Sequence, residues 1–211
     1  MKKRYLLSIL IPGFAFVILS CNRGGTHRST ETSENSGVMM KLPDDFKVDP
    51  EQSSIFWTGD AIGIYKHTGT IELTEASLLV EDGRIFGGNF TVDMTTITPT
   101  DENYNPVEGY SKEKLKGHLM SADFFDVENF PTANFIFEEV TGNAGTGILT
   151  IRDHSHPETI ENIQVSKEGE LIKITGDLIF NRKKYDVSWD YPMQDRVLSE
   201  DITLKITLVG N

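Results

Sequence analysis

His118, Ser121 and Asp123 fall within six positions and supply the side-chain types of a nucleophilic hydrolase triad. That chemistry needs a base held between a nucleophile and an orienting acid, groups that separate elements normally bring together. Crowded into one turn, the Ser and Asp read instead as caps that bond nearby backbone and set up Phe124 and Phe125. His154 and His156 form an H-x-H pair, but two ligands in a turn do not make a metal site without a nearby third. No catalytic residue, metal site or cofactor is therefore assigned. Arg182, with Lys183 and Lys184, can meet an anionic head group if it sits at the mouth of a cavity. Cys21 is the only cysteine, so it has no disulfide partner within the chain.

The stretch that must position His118 runs from His118 to Phe137 and reads HLMSADFFDVENFPTANFIF. Ser111 to Met120 has helical character with Ser111 as N-cap. Pro131 cannot continue a helix and pushes Phe130 towards an extended conformation, so a strand begins just after it with Ala133, Phe135 and Phe137 on one face. Phe124 and Phe125 then plug one end of whatever that strand belongs to.

From Phe46 onward the dominant period is two. Phe90, Val92 and Met94 alternate with polar residues, as do Tyr185, Val187 and Trp189, and Ile202, Leu204, Ile206 and Leu208. These are strands with one dry and one wet face. Further strands are expected over Ser53–Thr58, Gly69–Leu73, Ala76–Glu81, Arg84–Phe86, Ile148–Arg152, Thr159–Ser166 and Leu171–Asn181. Turn residues separate them at Glu81-Asp82-Gly83, Thr141-Gly142-Asn143, Lys167-Glu168-Gly169 and Arg182-Lys183, and Thr141–Gly147 reads as loop, as does Asp101–Gly109. Short hairpins joining strands of this kind argue an antiparallel meander that closes into a barrel. The dry faces carry Phe90, Phe135, Phe137, Phe180, Tyr185 and Trp189, which either pack a core or line an apolar tube. A strand rises about 3.3 Å per residue, so long strands suit an extended guest better than a compact metabolite.

His118-Leu119, Ser121, Asp123-Phe124-Phe125-Asp126 and Phe130-Pro131-Thr132-Ala133-Asn134-Phe135 resemble the signature of the YceI-like family of lipid- and polyisoprenoid-binding proteins. Ser53-Ser54-Ile55-Phe56-Trp57, Thr95-Thr96-Ile97 with Asp101, Leu149-Thr150-Ile151-Arg152 and Asn181-Arg182-Lys183-Lys184-Tyr185-Asp186-Val187 extend the likeness over most of residues 46 to 209. His67-Thr68-Gly69-Thr70-Ile71 is similar to a tethered or secreted subgroup from Bacteroidetes. The resemblance implies an all-β fold, a lipocalin-like eight-stranded antiparallel β-barrel with one short helix, and a lipid ligand. On that reading Phe90, Val92, Met94, Phe124, Phe125, Phe135, Phe137, Phe180, Val187 and Trp189 line the lumen, and His118 and Arg182 are head-group candidates.

Lys2-Lys3-Arg4 followed by an apolar run from Tyr5 to Leu19 is a secretory signal, too short to span a bilayer comfortably. Ile18-Leu19-Ser20-Cys21 resembles the lipobox of bacterial lipoproteins, which implies acylation of Cys21 and anchoring to the membrane. Residues 1–20 are then the signal, 21–43 a flexible tether rich in Gly, Ser and Thr, and 44–211 the barrel domain. The 20 basic residues fall to 17 once Lys2, Lys3 and Arg4 leave, against 32 acidic ones, a net charge of −15 that argues against nucleic acid as a partner.

The expected protein faces the periplasm from an anchor on the cell envelope, at the outer membrane, and carries an isoprenoid or other amphiphilic lipid without catalysis. A quinone-linked redox or stress accessory and a solidly packed interaction module stand as alternatives, with a homodimer as a further partnership.

Overall fold

In the computed structural model of the protein the described residues are 40–62, 65–104, 111–190 and 197–211. The chain divides after Gly37, and the second unit, Val38–Asn211, is the one described. Its strands are β1 (Val48–Ile62), β2 (Tyr65–Glu81), β3 (Arg84–Pro99), β4 (Thr132–Thr141), β5 (Ala144–Ile151), β6 (His154–Glu168), β7 (Leu171–Asn181) and β8 (Val197–Gly210), with helix α1 (Lys112–Met120) between β3 and β4. Each strand pairs with its chain neighbour, and β1 closes the barrel onto β8, so that Ile55 lies opposite both Ile71 and Ile206. Closure pairs the first strand with the last, which removes the two outer edges that an open sheet would offer for association.

Several breaks in the apolar alternation are bulges rather than strand ends. Gly69–Leu73 and Ala76–Glu81 belong to one strand, β2, whose register against β3 slips between Leu73 and Glu75. Arg84–Phe86 and Phe90–Met94 likewise merge into β3 across Gly88, at φ +140°. A bulge adds a residue and bends the strand without ending its pairing, which long curved strands need. The Asp82-Gly83 turn holds both residues at positive φ, 53° and 79°, the geometry whose twist matches a two-residue hairpin.

Three expectations are corrected. Thr141–Gly147 is not a loop: β4 runs to Thr141, β5 starts at Ala144 and pairs with both neighbours, and glycines at 145 and 147 make room for aromatic rings from β4. Tyr185–Asp190 is not a strand; Arg182–Tyr185 form a 3-10 turn that ends at Asp186, with φ +57°. Its alternation arises because Tyr185 and Val187, both fully buried, point inwards from an irregular segment. The span 21–43 expected as a tether also reaches too far, since Leu42 is buried and donates to the Gly83 carbonyl at 3.1 Å. The loop expected at Asp101–Gly109 is described only as far as Tyr104, and Cys21 and the signal lie outside the described residues.

Candidate functional site

One end of the barrel is roofed by two segments that the sequence places far apart. The first is α1 with the turns that follow it. Ser111 caps its start by accepting from the Lys114 N–H at 3.3 Å, and Ser121 ends it, its hydroxyl donating to the His118 carbonyl at 2.8 Å. That bond commits the Ser121 hydroxyl proton to the backbone. The Phe124 and Phe125 amides donate to the Ser121 and Leu119 carbonyls at 3.0 and 3.1 Å, which folds the two rings inwards to burial. The rings meet edge to face at 5.0 Å.

The second segment is Arg182–Asp190. Arg182 is fully buried, and four of its N–H groups are engaged: Nε with the Ser199 carbonyl at 3.0 Å, Nη1 with the Val187 and Trp189 carbonyls at 2.6 and 2.8 Å, and Nη2 with Asp190 at 2.9 Å. This corrects the head-group role expected for Arg182. Its guanidinium is a structural hub that shapes the segment, and lies 6.0 Å from the Phe124 ring. Arg152 joins the two roofs, donating to the carbonyls of Phe124 at 2.9 Å and Asp186 at 2.5 Å. Its own backbone, at φ +50°, holds the left-handed conformation at the β5–β6 turn. His156 Nε2 lies 2.8 Å from the Lys184 carbonyl, whereas His154 is exposed.

Beneath the roof lies a cavity of about 160 Å³. Phe90, Val92 and Met94 of β3 line it, with Phe180 of β7, Phe124, Phe125, Trp189 and His118. Trp57, His67, Leu119 and Ile202 join them, and sequence reasoning did not single these out for the lumen. Alternation on β1 and β8 marks Trp57 and Ile202 as inward, but only closure of the barrel shows that they share the void with β3. Among the described lining residues there is no Lys, Arg, Asp or Glu.

Three residues expected in the lining lie elsewhere. Phe135 and Phe137 meet edge to face at 5.0 Å, and both pack on Phe90, at 5.5 and 6.4 Å between ring centres. The three rings make a floor, because inward residues two apart on β4 fall against glycine 147 and glycine 145 of β5, where no side chain keeps the rings apart from the wall. Below the floor lies a small void of about 20 Å³, among Phe137, Ile163, Ile174 and Leu208. Val187 is buried beside Arg182, with which it exchanges backbone and side-chain bonds, and is absent from the lining.

At the rim, His67 from β2 lies with Nδ1 3.2 Å from Asp101, and its ring stacks on Tyr104 at 5.3 Å. Burial alone raises the Asp101 carboxyl, but N–H donors from Thr68 and Asn103, together with His67 and the Tyr104 hydroxyl, outweigh it and hold the group below its usual 3.8. The same burial, with Asp101 beside it, pushes the Tyr104 phenol up. This cluster fixes the β2 end of the rim. No spacing rule in the sequence reveals it, because 34 residues separate His67 from Asp101.

Residues 46–210 match the family described as YceI-like domain. A UPF0312 protein of Staphylococcus epidermidis is 29% identical over 110 residues, which are 48% of this chain and 63% of that protein; the match thus spans less than two thirds of the relative's length. The fold is similar to the crystal structure of BcnA from Burkholderia cenocepacia, with a TM-score of 0.63 at 18% identity, covering 78% of this chain and all of that one. It is also similar to a polyisoprenoid binding domain from Saccharophagus degradans, with a TM-score of 0.51 at 8% identity, covering 79% of this chain and 97% of that one.

Proposed function

The chain belongs to the YceI-like domain family, and from that premise we propose that it is a non-catalytic carrier that takes the apolar tail of an isoprenoid or other amphiphilic lipid into the cavity beneath the roof. The observation that carries this reading is the cavity itself: about 160 Å³, walled by apolar and aromatic side chains with no charged residue among its described lining. An apolar void of roughly 150 Å³ stays dry and accepts an apolar guest, because water entering it gives up hydrogen bonds that the wall does not return. A similar fold in a domain described as polyisoprenoid binding supports the ligand class. The same void counts against a solidly packed module. In this proposal the Cys21 anchor holds the carrier on the envelope, at the outer membrane and facing the periplasm, where a soluble pocket can accept a lipid that leaves a bilayer.

Native mass spectrometry of the purified protein, paired with solvent extraction, tests the reading. The expected result is an adduct that extracts as an isoprenoid or acyl lipid. A bare mass, with no thermal shift on adding isoprenoid alcohols or fatty amphiphiles, would rule the carrier out.

A further inference from the structure

Three buried side-chain polar atoms have no hydrogen-bond partner among the described residues: Asp60 Oδ1, Arg152 Nε and His118 Nε2. Only His118 belongs to the cavity lining. Its ring is clamped edge to face by Trp189, at 4.5 Å, and by Phe124, at 5.5 Å, both of which also line the cavity. A buried ring nitrogen without a partner has given up its bond to water and received none in return, a cost that a ligand group can recover. Two other polar side chains at the void, those of Trp57 and His67, are already committed. Trp57 Nε1 donates to the Thr70 carbonyl at 3.3 Å, and His67 faces Asp101.

We propose that His118 Nε2 is the polar anchor of the cavity and that it selects an uncharged head, a hydroxyl, carbonyl or amide, against a phosphate, pyrophosphate or carboxylate. The proposal deepens the carrier reading and rests on it. A phosphate brought beneath this roof needs cations to replace its water, since an unpaired buried charge is penalised heavily. The arginines that enclose the roof are largely occupied: Arg182 with three carbonyls and Asp190, and Arg152, whose Nε alone lacks a partner and whose side chain is absent from the cavity lining, with two carbonyls and Asp186. Burial lowers the affinity of His118 for a proton, against an opposing pull from Asp123, so near neutral pH the ring is an uncharged imidazole. A neutral ring offers one donor nitrogen and one acceptor nitrogen, which suits a single hydrogen bond with a neutral group.

Both tryptophans of the chain, Trp57 and Trp189, line the cavity, so intrinsic fluorescence reads its occupancy. The full chain is titrated with geranylgeraniol, geranylgeranyl pyrophosphate and the hydrocarbon of the same tail. The expected order is alcohol, then hydrocarbon, then pyrophosphate, with the alcohol at least about tenfold tighter than the pyrophosphate. His118→Phe keeps the ring contacts but not the nitrogen. It is expected to bring the alcohol down to the affinity of the hydrocarbon and leave the hydrocarbon unchanged, whereas His118→Gln, whose amide nitrogen reaches as far as Nε2, restores part of the alcohol's advantage. Pyrophosphate binding as tightly as the alcohol to wild type overturns the head-group assignment while leaving the carrier intact, and that comparison needs no variant to fold. Equal loss of alcohol and hydrocarbon in His118→Phe overturns it too, by showing a packing role alone. If none of the three probes binds wild type, the carrier reading fails and the anchor with it.

Discussion

The Nη1 of Arg182 donates to the carbonyl of Trp189 at 2.8 Å, so a fully buried arginine at the end of β7 fixes the backbone of a tryptophan that walls the cavity. Trp189 in turn meets His118 of α1 edge to face. The two roof segments, about seventy residues apart in the chain, therefore bear on each other through the His118–Trp189 ring contact, through the Arg182 guanidinium at the Phe124 ring and through Arg152.

Arg182→Met keeps much of the volume but leaves the Val187, Trp189 and Ser199 carbonyls without their donor. Buried unsatisfied acceptors cost about 1–3 kcal/mol each, so a loss of roughly 3–5 kcal/mol in urea unfolding is expected, together with a changed tryptophan emission. A loss below about 1 kcal/mol would show that the guanidinium is not the hub of this segment.

Val92→Trp fills the cavity from β3. Bound lipid is expected to vanish from the native mass spectrum while unfolding stays cooperative, because the added ring occupies space rather than displacing packed neighbours. Overfilling a packed core instead costs typically about 1–3 kcal/mol. Retention of lipid at wild-type level in a folded Val92→Trp protein counts against this cavity as the binding site.

Phe137→Ala removes one ring of the floor and joins the cavity to the small void below it. Against a ladder of isoprenoid alcohols of increasing length, the tightest binder is expected to shift to a longer tail. The stability cost expected for losing a largely buried Phe is about 3 kcal/mol. An unchanged length preference would mean that the floor does not limit the guest.

The His118 ring gives a pH dependence with a definite sign. Burial puts its folded-state value below the ordinary 6.5, so as pH falls through 6.5 the unfolded chain takes up a proton before the folded one does. Stability contributed by the neutral ring is complete above 6.5 and declines below it, towards the lower folded value. Thermal midpoints measured between neutral and mildly acid pH are therefore expected to fall more steeply in wild type than in His118→Phe. Parallel profiles would contradict a buried, proton-averse ring.

Much of the architecture was legible in the sequence because its signals are local. Period-two alternation in β3, β7 and β8, Asp-Gly at a hairpin, Ser111 before a helical run and Pro131 before a strand each depend on a few neighbouring residues and on backbone stereochemistry that every chain shares. Phe124 and Phe125 were legible as a plug for the same reason. Arg182 was not legible, since a basic triplet before Tyr185 looks like a solvated hairpin until the chain bends back and surrounds the guanidinium with carbonyls from Val187, Trp189 and Ser199. Nor did the inward pattern of β4 separate wall from floor. Phe135 and Phe137 share the face of Ala133, and only register against the glycines of β5 decides that Ala133 borders the void while the two rings close it. Alternation tells which face of a strand is dry. What a dry face meets is set by closure, by the height of each residue along the barrel and by partners contributed from distant segments, and those are properties of the tertiary structure alone.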